Sequence, residues 1–314
     1  MSTTTSASIP KTLFGYDVVS RLGEGAGSAL YVVCDAASGQ LYALKHVVRK
    51  TEKDLRFVEQ LQTEFEMSRA FRHPVLRKSI DLKINKKLLG GITEAALVLE
   101  LVDGTPLNQQ PLLATAKLID VFMQVASGLA SLHHLRLVHC DLKPGNIMTC
   151  ADGQVKLIDF GQTCKSGTVK ERVQGTPDFI APEQVRLKGV DARTDIFNFG
   201  ATLYWALTGH KIPTLYTVEK DARRELKHQN YPSPHDLNPA VPEPLSKLAM
   251  WCASFSIGSR PKDMATVCIG LQKISEALKI AATPTIVPQA QEASAPAGQP
   301  PPKRTPRPVT FPFD

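Results

Sequence analysis

Residues 137–160 read LVHCDLKPGNIMTCADGQVKLIDF, and this stretch decides how the rest of the chain is read. It sets Asp141, Lys143, Asn146 and Asp159 in a fixed order, with a β-hairpin pattern between Asn146 and Asp159. Asp141 can accept the proton of an incoming hydroxyl, Asn146 and Asp159 can hold magnesium, and Lys143 can neutralise a phosphate in transfer. An Asp near a Lys is common on surface loops, where it is a solvated turn. The ordered string His-x-Asp-Leu-Lys-Pro-x-Asn, then a hairpin, then Asp-Phe-Gly is too specific for that reading.

Upstream, Leu22-Gly-Glu-Gly-Ala-Gly-Ser28 falls between two runs of strand-forming residues. Glycines there let backbone N–H groups approach a phosphate with no Cβ in the way. A glycine-rich hairpin alone is usually just a turn. Here Ala43-Leu44-Lys45 follows on a strand, and a lysine on a half-buried strand is costly unless its charge is paired. Its natural partners are phosphate oxygens and a helix carboxylate. Among the glutamates of the next helical pattern, Glu64 is chosen over Glu59 and Glu66, which read as solvated charges, with Glu66 second.

The composition fits such a chemistry and excludes others. With 314 residues, 43% hydrophobic and 21% charged, the chain is long enough for two packed lobes. The net charge of +7 is spread along the sequence; it favours anionic ligands such as nucleotides without marking a nucleic-acid binder. The six cysteines (Cys34, Cys140, Cys150, Cys164, Cys252, Cys268) show no Cys-x-x-Cys spacing and read as reduced thiols, with no zinc site. No apolar run nears the roughly 20 residues of a membrane span, and the first residues lack a signal-type apolar core. The expected location is cytoplasmic.

Along the chain, YDVVSRL, ALYVVCDA and LYALKHVV predict an antiparallel meander from Tyr16 to Val48. Apolar residues recur at helical spacing from Glu52 to Phe71, closed by His73-Pro74. Two strands are expected at RKSIDLKI (77–84) and AALVLELV (95–102), and helical patterns from Leu118 to about Leu278. The fold class is therefore α+β, a small antiparallel-sheet lobe with one helix (13–102) and a larger, mainly helical lobe (103–280). Residues 1–12 and the Pro-rich stretch 281–314 are expected to be disordered.

The chain resembles eukaryotic-type Ser/Thr protein kinases over about residues 13–280, in a bacterial-like form. The resemblance implies a bilobal kinase fold using ATP and Mg2+, with Mn2+ as an alternative. By this likeness Gly23, Glu24, Gly25, Ala26, Gly27 and Ser28 form the glycine-rich loop, Ser28 standing where a third glycine is usual. Lys45 and Glu64 match the strand lysine and its helix glutamate, and both join Asp141, Lys143 and Asn146 as catalytic residues. Leu99 resembles the gatekeeper. The backbones of Glu100 and Val102 would hydrogen-bond adenine, while Leu22, Leu30, Ala43 and Met148 would sandwich it. Asn146 and Asp159 are the implied metal ligands.

Lys143-Pro144 and the segment Gly175-Thr-Pro-Asp-Phe-Ile-Ala-Pro-Glu183 imply Ser/Thr specificity, with Thr176 tying the catalytic Asp and Lys together. Glu183, Arg260 and Asp195 resemble scaffold residues. In one departure, Cys140 replaces the Arg that usually precedes the catalytic Asp and receives a loop phosphate; it is read as a packed, inert residue, so loop phosphorylation should matter little. The implied partners are proteins bearing Ser or Thr, including a second copy in autophosphorylation, for which Thr163, Ser166 and Thr168 of the segment and Thr3, Thr4, Thr5 and Thr305 of the tails are candidates. The rival readings are an inactive nucleotide-binding scaffold, against which Lys45, Asp141 and Asp159 all stand, and a small-molecule kinase, against which the Gly175–Glu183 segment stands.

Overall fold

The computed structural model describes residues 9–25, 27–87, 90–218 and 231–282. Ala26, Thr3 to Thr5, Thr305 and nearly all of the two expected tails lie outside the described residues.

The β-branched and aromatic runs of the first hundred residues form a six-stranded antiparallel sheet: β1 (Thr12–Leu13), β2 (Tyr16–Gly25), β3 (Ser28–Cys34), β4 (Leu41–Val48), β5 (Ser79–Lys86) and β6 (Ile92–Glu100), in the order β1-β2-β3-β4-β6-β5. Alternation along each strand sorts side chains onto two faces. Ala43, Val47, Ala95, Leu97 and Leu99 gather with Val58 and Leu61 of helix α1 (Leu55–Ser68), while Tyr31, Val33, Leu44, Ala96 and Val98 form a separate cluster on the other face. Lys45 follows Ala43 by two positions, so it points toward α1. On α1 the buried positions are Val58, Leu61, Glu64 and Ser68. Glu64 thus shares the apolar stripe, and Glu59 and Glu66 are exposed.

Helix α1 is shorter than its apolar periodicity. The Asp54 carboxylate accepts from the backbone N–H of Lys50 (3.0 Å) and Thr51 (2.7 Å), which holds Glu52–Asp54 as a tighter turn ahead of the helix. At the other end the Ser68 hydroxyl donates to the Phe65 carbonyl at 3.0 Å, and Phe71 closes a turn onto Ser68. Strand β5 also lies two residues later than its apolar run predicts, and β6 starts three residues and ends two residues earlier than its own.

The larger part is built on α2 (Thr115–His134), α4 (Ala192–Thr208), α6 (Glu243–Cys252) and α7 (Met264–Ala282), with short helices α3 (Pro182–Val185) and α5 (Pro234–Leu237) beside them. Phe122, Leu129, Phe199, Leu203, Leu245, Val267 and Leu271 form its core. Helix α2 begins at Thr115, one turn before the expected Leu118. Small ladders present the loops between these helices: β7 (Thr105–Pro106), β9 (Ile147–Thr149) and β10 (Val155–Leu157) in the order β10-β9-β7, and β8 (Leu137–Val138) with β11 (Cys164–Lys165). The two parts are stitched where Leu157 N–H donates to the Val75 carbonyl (2.7 Å) and Arg77 N–H to the Leu157 carbonyl (3.1 Å). The arrangement is the bilobal α+β architecture, with a sheet-rich part and a helical part. None of the helices among the described residues is long and apolar enough to cross a membrane.

Candidate active site

The loop after β8 is pinned from beneath by one carboxylate. Asp195, fully buried near the start of α4, accepts the backbone N–H of His139 (2.8 Å) and Cys140 (2.9 Å), and its second contact through Oδ2 is the His133 ring at 2.8 Å. The Gln184 side-chain amide of α3 donates to the Cys140 carbonyl at 2.8 Å. With the backbone of Cys140 held at both ends, the next residue, Asp141, presents its carboxylate to a fixed place. Its Oδ1 accepts from the backbone N–H and the hydroxyl of Thr176, each at 2.8 Å, and its Oδ2 faces Lys143 Nζ at 2.8 Å. Lys143 Nζ also donates to the Thr176 hydroxyl at 2.8 Å. Acid, lysine and threonine form one closed triangle.

Asn146 belongs to the same loop through its side-chain N–H, which donates to the Asp141 carbonyl at 2.9 Å, leaving the amide oxygen free of that bond. Its own carbonyl accepts from Ile158 N–H at 3.0 Å, so Asn146 is bonded to the residue just before Asp159. Asp159 adopts φ +63°, a strained conformation for a non-glycine residue. It is held there by Phe160, which is buried against Phe71 (centroids 4.7 Å) and His139 (5.2 Å).

From the sheet side, Lys45 Nζ lies 3.0 Å from Glu64 Oε2 and 2.8 Å from Asp159 Oδ1. Burial alone would lower the Lys45 pKa, but the charges of Glu64 and Asp159 outweigh it and hold the ammonium protonated. The Lys45 charge in turn keeps the Asp159 carboxyl far below the usual carboxylate range, against the effect of burial. Glu64 is wholly buried and also accepts the Phe160 backbone N–H at 3.3 Å.

A cleft of about 240 Å3 opens onto both sets, lined by Gly25, Ser28, Lys45, Asp141, Asp159 and Gly161 among others. Gly23, Glu24 and Gly25 end β2, and Gly25 pairs with Ser28 at the hairpin tip. Glu24 is exposed and ion-paired with Arg21. Gly27 has φ +77°, and a Cβ there would come within 2.3 Å of the Phe57 ring on α1, so the hairpin rests on the helix that carries Glu64. Leu30 pairs with Lys45, and Ala43 with Leu99, which sets all four on one face of the sheet. Leu22 is half exposed. Glu100 closes β6 and its carboxylate meets Lys156 of β10 at 2.5 Å. Val102 lies just beyond, in the segment joining the two parts, and Met148 sits on β9 facing Pro106 and Lys156 in the ladder.

Among the described residues no group of three or more His, Cys, Asp or Glu side chains could hold a metal. Magnesium draws most of its octahedral oxygens from phosphate and water and needs only one or two protein donors, so the Asn146 amide oxygen and the Asp159 carboxylate are a suitable donor set for it.

Some features escaped the sequence reading. Arg77, only 6% exposed, places Nη2 3.7 Å from Glu64 Oε1; its position at the edge of a strand-like run hid it. Thr163, expected to be a reachable hydroxyl, is 1% exposed and therefore closed to modification. Ser166 and Thr168 are partly exposed. The cysteines do not stay dispersed, since the Cys140 and Cys164 sulfurs lie 3.7 Å apart. By contrast, the Glu183 and Arg260 scaffold pair that the resemblance implies is present, buried and two-pronged at 2.7 and 2.9 Å.

Comparison with known proteins agrees with this geometry. The family model of the protein kinase domain matches residues 16–269. The chain is 29% identical to a DNA damage-responsive serine/threonine-protein kinase of Deinococcus radiodurans, over 82% of this chain and 39% of that protein. It is 28% identical to the serine/threonine-protein kinase PksC of Streptomyces coelicolor, over 89% of this chain and 52% of that protein. With the serine/threonine-protein kinase PknA of Mycobacterium tuberculosis it shares 30% identity, over 74% of this chain and 56% of the relative. The chain spans about half the length of these relatives, or less. A loop pinned by Asp195, a lysine bridging Glu64 and Asp159, and a kinase-domain match over most of the sequence together assign this chain to the eukaryotic-type Ser/Thr protein kinase family.

Proposed function

We propose that this chain is an ATP-dependent protein kinase that transfers the γ-phosphoryl group to Ser or Thr hydroxyls of proteins, including a second copy of itself. The carrying observation is that the Asp141–Lys143–Thr176 triangle and the Lys45–Glu64–Asp159 chain of charges open onto one cleft. In this reading the residues act mainly by positioning and charge. Asp141 Oδ, fixed by Thr176, orients the incoming hydroxyl and takes its proton late in transfer. Lys143 Nζ, anchored on Asp141 and Thr176, meets the transferring phosphoryl group. Lys45, held on Glu64, aligns the α and β phosphates.

Asn146 and Asp159 would hold Mg2+, which when bound supplies charge neutralisation to the phosphates. Leu22, Leu30, Ala43, Leu99 and Met148 would enclose the adenine, with the Glu100 and Val102 backbones on its edge. The glycine hairpin, with Ala26 in it, would cover the phosphates. The lobes would divide near 102, the location would be cytoplasmic, and self-association would serve autophosphorylation.

The test is transfer of label from [γ-32P]ATP with magnesium to a mixed protein substrate, comparing the wild type with Asp141→Asn. Labelled phosphoserine or phosphothreonine that vanishes in the variant supports the reading. Nucleotide binding without transfer would instead identify a scaffold.

A further inference from the structure

Two sulfurs meet beside the catalytic loop in a way the proposed reaction does not use. Strands β8 and β11 pair with Val138 opposite Cys164 and Leu137 opposite Lys165. The chain then leaves β8, and Cys140 takes φ +66°, which sends its side chain back across the ladder to Cys164, 3.7 Å away sulfur to sulfur. Cys140 is 1% exposed, within a small apolar cluster with Val138 and Val190. Cys164, packed at the edge of that cluster, is partly exposed. One thiol can be reached by a small reagent, and the other stands behind it within contact distance.

We propose that Cys164 and Cys140 are a peroxide-reactive thiol pair, Cys164 attacking and Cys140 resolving, that closes to a disulfide between the catalytic loop and the segment following Asp159. In the first step the Cys164 thiolate attacks one oxygen of a hydroperoxide. The O–O bond breaks, an alcohol or water leaves with a proton, and Cys164 becomes a sulfenic acid. The Cys140 sulfur, giving up its proton, then attacks the Cys164 sulfur. The S–S bond forms, the S–O bond breaks, and the hydroxyl leaves as water. Two thiols and one hydroperoxide yield one disulfide, one alcohol and one water; the thiols lose two electrons and the peroxide gains them.

The local charges match this division of labour. The hydrogen bond between the two sulfurs, written with Cys140 as donor, lowers the Cys164 thiol against the effect of burial, helped by the Lys170 ammonium and the Thr168 hydroxyl, while the Asp195 carboxylate opposes it. Lys170 is anchored nearby on the Gln162 carbonyl at 2.6 Å. The Cys140 thiol, giving that hydrogen bond and buried, is pushed up, so it is a poor first nucleophile toward a reagent in solution.

Bond formation has a mechanical consequence, and here the inference rests on the proposed kinase reading. The sulfurs must close from 3.7 Å to about 2.05 Å. The Cys140 backbone is held by Asp195 and Gln184, whereas Cys164 is tied only through a ladder of two residue pairs, so the movement falls on the segment carrying Cys164, five residues after Asp159. Asp159 is drawn away from Lys45, and transfer slows until a thiol reductant restores it.

The experiment treats the full chain with hydrogen peroxide, quenches it by alkylation, and maps non-reduced peptides by mass spectrometry, with phosphoryl transfer measured in parallel. The expected result is a linked Cys140–Cys164 peptide lighter by two hydrogens, and a transfer rate at least about fivefold lower that recovers in dithiothreitol. Cys164→Ser should transfer normally before treatment and resist peroxide. Cys140→Ser, which keeps a hydrogen-bond donor beside Cys164 but has no sulfur to resolve it, should stop at a sulfenic acid on Cys164, trapped by dimedone. Absence of the linked peptide while other cysteines are oxidised, or dimedone labelling of Cys140 ahead of Cys164, would overturn the pairing. Because the link is read by mass, it stands or falls even if the chain transfers no phosphate; a link with unchanged transfer would overturn the mechanical consequence alone.

Discussion

The two sides of the cleft are held by different means. On the helical side, His139, Asp141, Asn146 and Asp195 are all buried, and the backbone N–H groups of His139 and Cys140 end on the Asp195 carboxylate. On the sheet side, Leu22 and Glu24 are exposed, and the hairpin rests on α1 through the contact of Gly27 with Phe57. On the proposed reading the difference has a purpose: a proton acceptor and its lysine need a fixed geometry, which buried carboxylates and amides supply, whereas a phosphate cover must admit and release a nucleotide. Lys45 joins the two regimes, since it stands on the sheet and is oriented by a buried helix carboxylate.

The contrast predicts that substitutions on each side separate chemistry from stability. The largest effect is expected from Asp159→Asn, which removes the charge facing Lys45 and the proposed metal ligand. Transfer should fall about a thousandfold, equivalent to about 4 kcal/mol in the barrier. Because the Asp159 side chain is 42% exposed, the melting temperature should stay within a few degrees of wild type. A large loss of stability would show that Asp159 is structural.

Next in size is Glu183→Ala on the helical side. It leaves the fully buried Arg260 side chain with backbone carbonyls but no opposing charge, and breaking a buried pair by removing one partner costs about 3–5 kcal/mol. Urea unfolding should show that loss. A cost under about 1 kcal/mol would mean the pair behaves as a surface one.

Gly27→Ala sharpens the comparison at the hairpin. The φ of +77° should cost about 1–2 kcal/mol for any residue with a Cβ, and the clash with Phe57 adds to it. The Michaelis constant for ATP should rise more than kcat falls. Adding Phe57→Ala should return the clash component and leave the backbone component. If the double variant is no better than the single, the hairpin does not rest on α1.

The smallest effect concerns loop phosphorylation. The segment is already tied by Thr176 to Asp141 and by Glu183 to Arg260, and Cys140 offers no cation to a phosphate. Protein expressed with a phosphatase should therefore work within about tenfold of the phosphorylated form, equivalent to 1.4 kcal/mol in the barrier. A larger gap would show that Lys165, Lys170 or Arg172 takes the missing Arg's place.

Much of this was legible in the sequence because local chemistry carried it. The loop residues lie within a few positions of one another, and Glu64 shares the helical stripe of Val58 and Leu61, so periodicity and charge reveal its direction. What escaped reading depends on contacts between distant segments. Arg77 meets Glu64 only after two elements pack. Strands β8 and β11 have two residues each, too short for any alternation to announce the pairing that brings Cys164 to Cys140. The start of α1 was misplaced because Asp54 competes for backbone N–H groups, an interaction that apolar periodicity does not register. Thr163 was misjudged because exposure within a loop is set by the packing around it.

On the proposed reading the helical side performs transfer to a protein hydroxyl while the sheet side holds the nucleotide. The most direct test of that division is single-turnover transfer from [γ-32P]ATP with magnesium, read by phosphoamino acid analysis, in wild type, Asp141→Asn and Lys143→Met. The wild type should yield phosphoserine or phosphothreonine, and both variants should bind ATP normally yet transfer at least about a hundredfold more slowly. Wild-type protein that binds Mg-ATP and labels no hydroxyl, or an Asp141→Asn variant that transfers at the wild-type rate, would contradict the account.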